Sequence, residues 1–219
     1  MSIQTRHRTP IAAALAFVVL AVAGNALQGS TPALHGDGGA VARFYAGGPT
    51  RIAIGMMLSL ISLFFLTVFL AALTDALERA EMRDGWAAGM ARCGGTVAVA
   101  LLAGGFALNS AGALRAGEAA PIAPETAAVF YDAGLALAGL AAPLGMAVLL
   151  AATAAVVFRS GAFPRWFGWS SAAAAVLGVV TPVSFVLFLL FPVWVLAASV
   201  ALARLSTAEN AVVPSASIR

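Results

Sequence analysis

The segment that decides the fold runs from Arg51 to Leu73 and reads "RIAIGMMLSLISLFFLTVFLAAL". After its first residue it contains no charged side chain, and it lacks the short period-two alternation that marks a membrane β-strand. A helix needs about 20 such residues to cross the hydrocarbon core of a bilayer, because each residue adds about 1.5 Å. The segment therefore predicts a transmembrane α-helix.

The same pattern recurs along the chain. Apolar residue types make up 62% of its 219 residues and charged types 10%, whereas soluble domains average roughly 45–50% and about 25%. The fold class is therefore predicted to be an all-α transmembrane helical bundle, with one domain over residues 1–205 and a polar cytoplasmic tail over residues 206–219. The six predicted spans are about Pro10–Gln28, Arg51–Leu73, Ala88–Leu114, Thr126–Phe158 and two within Phe167–Leu205. The Gly- and Pro-rich segment Gly29–Thr50 predicts an irregular outer loop. The charged segment after span two predicts a continuing helix in which Asp75 and Arg79 can pair.

The last apolar block, Phe167–Leu205, is too long for one span. As a single helix its 39 residues would extend over about 58 Å, roughly twice the thickness of the hydrocarbon core. We expect it to fold back at "TPVSF", Thr181–Phe185, because proline disfavours a continuing helix. A single kinked and tilted helix is the alternative.

The arginines predict the orientation, since all 12 basic residues are arginine. With six spans and a cytoplasmic N-terminus, nine arginines fall on the inner side: Arg6, Arg8, Arg79, Arg83, Arg92, Arg159, Arg165, Arg204 and Arg219. Three fall on the outer side: Arg43, Arg51 and Arg115. Cytoplasmic segments carry an excess of basic residues, so both termini are predicted to be cytoplasmic.

Composition also indicates where the chain resides. Ala, Gly, Pro and Arg have GC-rich codons, and their abundance predicts the inner membrane of a high-GC bacterium. The lipid bilayer is the expected partner, whereas a scattered net charge of +3 argues against nucleic-acid binding. The stretch before Gly24, a basic start followed by an apolar run and "AVA", also has the form of a signal peptide, and cleavage there is an alternative.

Four polar residues are predicted to share the outer third of the bundle. Asn25 and Asn109 lie near the outer ends of spans one and three. Arg51 opens span two, and Asp132 lies about six residues into span four. Because polar and ionisable groups are costly in a membrane, we predict an outward-facing ligand pocket in which Arg51 and Asp132 pair. The alternative is an interfacial Asp132 favoured by a helix dipole, with both asparagines bonding helices together.

Residues that perform catalysis or hold metals are scarce. The chain has one cysteine, Cys93, and two histidines, His7 and His35, which the threading puts on opposite sides of the membrane. It has no HExxH, P-loop, GxGxxG or GxSxG motif. We therefore predict no catalytic residue, no metal site and no cofactor, and we expect Cys93 to be a small apolar residue beside Gly94 and Gly95.

Small residues recur at four-residue spacing on two predicted spans. The stripes are Ala103, Ala107 and Ala111 on span three, and Gly134, Ala138 and Ala142 on span four. Such stripes let helices approach closely. Packing within the bundle is the expected use, and a seam between two copies of the chain is the alternative.

The segment "FRSGAFPRWFGWSS", Phe158–Ser171, is predicted to be the cytoplasmic hinge between spans four and five. Gly161 suits the end of one helix and Pro164 the start of the next. Arginines keep to the cytoplasmic side, and tryptophan rings favour headgroup depth. The predicted membrane-interface anchors are Arg159, Arg165, Trp166 and Trp169.

Four motifs carry a resemblance to a known family. They are "AVARFY" before span two, "ALERAE" after it, "GAFPRWFGW" before span five and "FPVWVLAASVALAR" in span six. The chain from Val41 to Arg204 resembles a family of uncharacterised six-span actinobacterial integral membrane proteins, a domain of unknown function. The resemblance implies a membrane and a fold but no reaction and no site residues.

Three classes of function are compatible with these observations. An accessory or structural membrane subunit is favoured by the small-residue stripes and by the few polar residues. A small-molecule or ion carrier or sensor is favoured by the cluster around Asp132, although charge is nearly absent from the predicted midplane. A lipid-modifying membrane enzyme is the least favoured, because no acid–base set is evident. Partners of the first class would be a second copy or another membrane protein.

Overall fold

The computed structural model describes residues 3–32, 37–81, 85–118, 122–180 and 184–212. These residues form an all-α bundle. Its helices are α1 (Ile3–Gln28), α2 (Gly38–Ala46), α3 (Pro49–Ala80), α4 (Ala87–Ala116), α5 (Pro124–Leu135), a π-helical turn (Ala136–Ala141), α6 (Ala142–Ser160), α7 (Arg165–Val179) and α8 (Ser184–Val212).

Five stretches of helix are long and apolar enough to cross a membrane. They are Thr9–Gln28, Pro49–Ala80, Ala87–Ala116, Pro124–Ser160 and Val186–Leu205. The chain is therefore a multipass helical membrane protein, and five of the predicted spans are confirmed as helices of membrane-spanning length. The predicted span five is α7, whose 15 residues extend over only about 22 Å.

The last apolar block folds back, as expected. The rings of Phe167 in α7 and Trp194 in α8 stack with their centroids 5.8 Å apart, and Trp194 Nε1–H donates to Ser171 Oγ at 3.0 Å. At the other end of α7, Gly178 lies against the Leu187 side chain. The two helices are thus antiparallel, and the alternative of one kinked helix is wrong. Residues 181–183 of the predicted turn lie outside the described residues.

The backbone of α8 remains helical to Val212. The first residues of the predicted tail therefore continue the helix, and the residues from 213 onward lie outside the described part of the chain.

Glycine pairs set the closest helix crossings. A Cβ atom built on Gly55 of α3 would lie 2.7 Å from the Gly24 carbonyl oxygen of α1. One built on Gly145 of α6 would lie 2.9 Å from the Gly94 carbonyl oxygen of α4. Larger residues would force these helices apart, so the crossings depend on glycine.

The two predicted small-residue stripes have different surroundings. Gly134 and Ala138 are buried, and a Cβ on Gly105 of α4 would lie 2.6 Å from the Gly134 carbonyl oxygen. Ala107, by contrast, is exposed, and its neighbours in the stripe are only half-buried. Packing within the bundle is therefore confirmed for span four, and it is wrong for Ala107.

The segment 29–50 is not the irregular loop that its glycines and prolines suggest, because it contains α2. Asp37 caps this helix by accepting a hydrogen bond from Gly39 N–H at 3.2 Å. One turn apart, Val41 and Tyr45 are both buried against α4 and α5. Nine residues cannot form a stable isolated helix, so tertiary packing holds α2 in place.

The bundle has two apolar cores, which lie at different positions along the helix axes. We call the end where α4 stops and α5 starts the α2 end, and the end between α6 and α7 the hairpin end. Gly178, near the end of α7, lies against the Pro143 carbonyl oxygen, next to the π-helical turn. Within the described residues, α7 and α8 do not contact α2 or α5. The second core, around Tyr45, thus lies beyond the level at which α7 turns into α8.

Proline explains the π-helical turn. Pro143 has no amide hydrogen, and its ring would clash with the carbonyl of the residue four positions earlier in a regular α-helix. The six residues Ala136–Ala141 widen the helix just before it, which relieves that clash.

Ionic and polar contacts join the helices at the hairpin end. The Glu81 carboxylate accepts hydrogen bonds from Ala87 N–H at 2.9 Å and Ala88 N–H at 2.8 Å, which caps α4. Arg92 pairs with Glu78 at 2.6 Å. The expected pair between Asp75 and Arg79, one turn apart on α3, is confirmed.

Candidate functional site

A cluster of polar and aromatic residues lies at the α2 end. We call Tyr45, Asn109, Gly112, Tyr131 and Asp132 the tyrosine cluster. Tyr45 is fully buried, and its hydroxyl donates a hydrogen bond to Asn109 Oδ1 at 2.9 Å. Gly112 leaves room for the tyrosine ring, since a Cβ there would lie 2.8 Å from the ring carbon Cζ. Asn109 Nδ2 in turn donates to the Gly105 carbonyl at 3.1 Å.

Tyr131 extends this cluster to the chain that follows α1. Its hydroxyl donates to the Pro32 carbonyl oxygen at 2.7 Å. Its ring meets the ring of Tyr45 edge to face, with centroids 6.5 Å apart. The cluster therefore links α2, α4, α5 and the segment after α1, and the hydrogen bonds of its two tyrosine hydroxyls run between elements.

The cluster disfavours negative charge on Tyr45. Burial raises the pKa of the Tyr45 phenol well above its usual value, and the nearby Tyr131 and Asp132 raise it further when ionised. The half-buried Asp132 is thus close enough to act electrostatically on Tyr45. The Tyr45 hydroxyl stays a hydrogen-bond donor over the ordinary pH range.

The four predicted ligand-binding residues are not gathered around one space. Asn109 and Asp132 both belong to the tyrosine cluster. Arg51 is exposed beside Gly29 and Gly48, and among the described residues it forms no ion pair with Asp132. Asn25 is exposed, and its Nδ2 donates to the Ala21 carbonyl of its own helix at 2.9 Å. A ligand-binding role for these residues stays a prediction.

A cavity of about 450 Å³ lies between α1 and α8, and we call it the α1–α8 cavity. Val22 and Asn25 of α1 form one side, and Leu189 and Pro192 of α8 form the other. The remaining wall residues come from α1, α3, α4, α6 and α8, and they are Phe17, Ala21, Ala26, Ser59, Ser62, Leu63, Leu102, Phe106, Met146, Phe188 and Phe191.

Three polar side chains, those of Asn25, Ser59 and Ser62, interrupt this apolar wall. Ser59 Oγ–H donates to the Gly55 carbonyl at 3.1 Å, and Ser62 Oγ–H donates to the Ser59 carbonyl at 2.6 Å. Both serine hydrogens are thus used within α3, while the oxygen lone pairs remain. The Asn25 Oδ1 atom accepts no hydrogen bond from the described residues.

The four predicted membrane anchors lie together at the hairpin end. Arg159, Arg165, Trp166 and Trp169 are all exposed. Gly161 ends α6 with a left-handed φ of 64°, as expected for a helix stop. The Arg159 guanidinium lies over the exposed Trp86 ring at 5.9 Å, which ties α6 to the start of α4. Their depth in a bilayer stays a prediction.

Groups of potential metal ligands do not form within the described residues, where no three His, Cys, Asp or Glu side chains come together. Cys93 is exposed. Ser110 Oγ is buried and has no hydrogen-bond partner among the described residues.

Four polar residues of these two regions were not among the predicted site residues: Tyr45, Tyr131, Ser59 and Ser62. Tyr45 was hidden in a segment interpreted as a loop. Ser59 and Ser62 were passed over within an apolar span, although their three-residue spacing puts them on one helix face. That spacing was the available signal for the cavity wall.

No protein-family model, curated protein or solved structure matches the chain. The resemblance to six-span actinobacterial proteins therefore rests on the four quoted motifs. What it implies beyond a multipass helical membrane protein stays a prediction.

Proposed function

We propose that the chain is an accessory or structural subunit of a membrane complex, acting through helix contacts and not through catalysis. The observation that supports this most is the exposed face of α4. Five of its residues are small and follow one another at spacings that place them on one side of the helix: Gly89, Cys93, Thr96, Ala100 and Ala107. The larger exposed side chains of α4 lie beside or beyond these five: Met90, Val97 and Leu114. Small residues on an exposed membrane face allow close approach by another helix.

The exposed face of α8 has the opposite composition. It presents large apolar side chains: Val186, Leu189, Leu190, Val193 and Val200. Such side chains suit lipid tails, which are themselves apolar. The contrast between the two faces favours a protein neighbour on α4 and lipid on α8.

The polar groups inside the bundle fit a packing role as well. Thr74 and Thr153 donate to backbone carbonyls one turn earlier, at 2.9 Å and 2.8 Å. Trp194 and Ser171 bond α8 to α7. The two threonine hydroxyls are satisfied within their own helices, the Trp194–Ser171 bond joins two helices, and none of these groups is presented to a substrate.

The threading proposed for this subunit has six spans with both termini in the cytoplasm of a bacterium. It requires α7 to cross as a short span, with local thinning of the bilayer or help from flanking residues. The exposed arginines at the hairpin end, among them Arg79, Arg92 and Arg165, support a cytoplasmic hairpin end. A five-span threading would put the termini on opposite sides.

A small-molecule or ion carrier or sensor is the second candidate. The half-buried Asp132 beside Tyr45 favours it, because a carboxylate in a membrane protein is costly unless it has a use. Its test is the Asp132→Asn variant. Loss of a transport or sensing phenotype with unchanged protein level supports this candidate, and an unchanged phenotype contradicts it.

Cys93 provides a direct test of the subunit proposal, because it is the single cysteine of the chain and lies on the exposed face of α4. A maleimide–benzophenone crosslinker attached to Cys93 in native membranes should give a discrete protein adduct. Two differently tagged copies of the chain would distinguish a second copy from another membrane protein as the partner.

The matched control is the double variant Cys93→Ser/Val193→Cys, which moves the crosslinker to the exposed face of α8. It should yield lipid adducts only. An Ala100→Leu substitution should abolish the adduct from Cys93, since a large side chain separates the helices. Equal adducts from both positions, or lipid adducts alone from Cys93, would contradict the proposal.

A further inference from the structure

The α1–α8 cavity results from the way its wall helices pack. α1 is held against α3 by the close approach of Gly24 and Gly55. At the hairpin end α1 also meets α8, where Ile11 faces Ser199 and Val200 across a small gap. Toward the α2 end, Asn25 and Leu189 instead stand on opposite sides of the cavity. The two helices diverge, and the opening between them faces the lipid.

The size and lining of the cavity are those of a ligand site. Its volume of about 450 Å³ falls within the range of roughly 300–1,000 Å³ typical of small-molecule pockets, which are mainly apolar with a few polar groups. It extends along α1 from Phe17 to Asn25, a rise of about 12 Å. This elongated shape suits a single apolar chain.

The polar atoms of the cavity wall determine which polar group a bound apolar ligand can carry at its end. Asn25 Oδ1 and the lone pairs of Ser59 and Ser62 are acceptors, because both serine hydrogens are already used within α3. No charged side chain lines the cavity. A hydroxyl group can donate to such acceptors, whereas a carboxylate would be desolvated without a counter-ion.

We propose that the α1–α8 cavity binds an uncharged single-chain lipid alcohol taken from the bilayer. Its hydroxyl donates its one hydrogen to Asn25 Oδ1, with the oxygens of Ser59 and Ser62 as alternative acceptors, and its chain lies between Phe17, Leu102 and Pro192. The opening between α1 and α8 admits it sideways from the membrane.

The test uses three photoreactive probes of equal chain length in proteoliposomes: decanol, decanoate and decane, each carrying the same diazirine. Decanol should label the protein saturably, and decanoate should need at least about tenfold more probe, because its charge is not compensated. Asn25→Leu should weaken decanol labelling about fivefold, the effect of one hydrogen bond, and leave decane labelling unchanged.

A blocking variant and its matched control complete the experiment. Ala26→Phe fills the mouth of the cavity, and Ala12→Phe adds the same ring to an exposed position of α1 outside it. Only Ala26→Phe should abolish saturable labelling. Equal labelling by all three probes, or equal effects of the two phenylalanine variants with unchanged melting temperatures, would overturn the proposal. If Ala26→Phe fails to fold, an unchanged decanol affinity in Asn25→Leu overturns it.

Discussion

The tyrosine cluster and the α1–α8 cavity each contain an asparagine toward the α2 end of the bundle, but the two asparagines bond differently. In the cluster, Asn109 accepts a hydrogen bond from Tyr45 of another helix, and the surrounding space is filled. In the cavity, Asn25 bonds only to its own helix, and about 450 Å³ stay open beside it. A polar group that bonds across filled space holds helices together, whereas one that faces open space is available to a ligand.

The largest expected effect lies in the filled region. Gly112→Leu would place a Cβ 2.8 Å from the fully buried Tyr45 ring, and overpacking of this kind costs about 3 kcal/mol. Gly104→Leu on the same helix is the matched control, because its Cβ meets only the end of the Leu137 side chain, at 3.3 Å. Unfolding followed by circular dichroism in detergent should show a large loss of unfolding free energy for Gly112→Leu alone. Equal losses would mean that the Tyr45 ring is free to move.

The two asparagines provide the next comparison. Asn109→Leu leaves the buried Tyr45 hydroxyl without an acceptor, which should cost about 2 kcal/mol of unfolding free energy. Asn25→Leu removes a hydrogen bond within one helix at an exposed site, and it should change the unfolding free energy by less than about 0.5 kcal/mol. Adding Tyr45→Phe to Asn109→Leu should recover part of the loss. If the two leucine variants are equally stable, the tyrosine cluster does not hold the helices.

Alkaline titration tests the burial of Tyr45. In a Tyr131→Phe background Tyr45 is the only tyrosine, and its raised pKa keeps it neutral in the folded protein near pH 11, where an exposed tyrosine with a pKa of about 10 is ionised. The unfolded chain ionises first, so stability is complete below about pH 10 and falls as the pH rises above it. Tyrosinate absorbance measures the ionised fraction. Half-ionisation near pH 10 in the folded state would show that Tyr45 is exposed.

The smallest effect is expected in the cavity wall. Ser62→Ala removes a hydroxyl bonded within α3 and should change the unfolding free energy by less than about 0.5 kcal/mol. Ser171→Ala, the same substitution at a bond between two helices, should cost about 1 kcal/mol, because Trp194 Nε1 loses its acceptor. Thermal unfolding of both variants under the same conditions measures the two losses of stability. A larger loss for Ser62→Ala would assign the cavity wall a packing role.

The long spans could be predicted from the sequence because the length of an apolar run is a local property. The segment Arg51–Leu73 contains the information that makes it a helix of spanning length. The break before Ser184 was likewise predictable, since Pro182 interrupts a block too long for one span.

The faces of the helices could not be predicted in the same way. α4 has small residues on both sides, with Gly94 and Gly105 turned inward and Ala100 and Ala107 outward, so periodicity does not distinguish its two faces. Helix α2 was missed because its nine residues form a helix only when Tyr45 packs over Gly112. Asn25 and Asn109 were grouped because both are predicted to lie at the same depth in the membrane. Packing determines which of them meets another helix.

Mapping the decanol crosslinks by mass spectrometry tests most directly whether the cluster and the cavity have different roles. We expect saturable crosslinks confined to the cavity-lining residues of α1 and α8, around Val22 to Ala26 and Phe188 to Pro192, with none in α2 or at Asn109. Crosslinks spread evenly over the exposed apolar residues of the bundle, or concentrated at the tyrosine cluster, would contradict it.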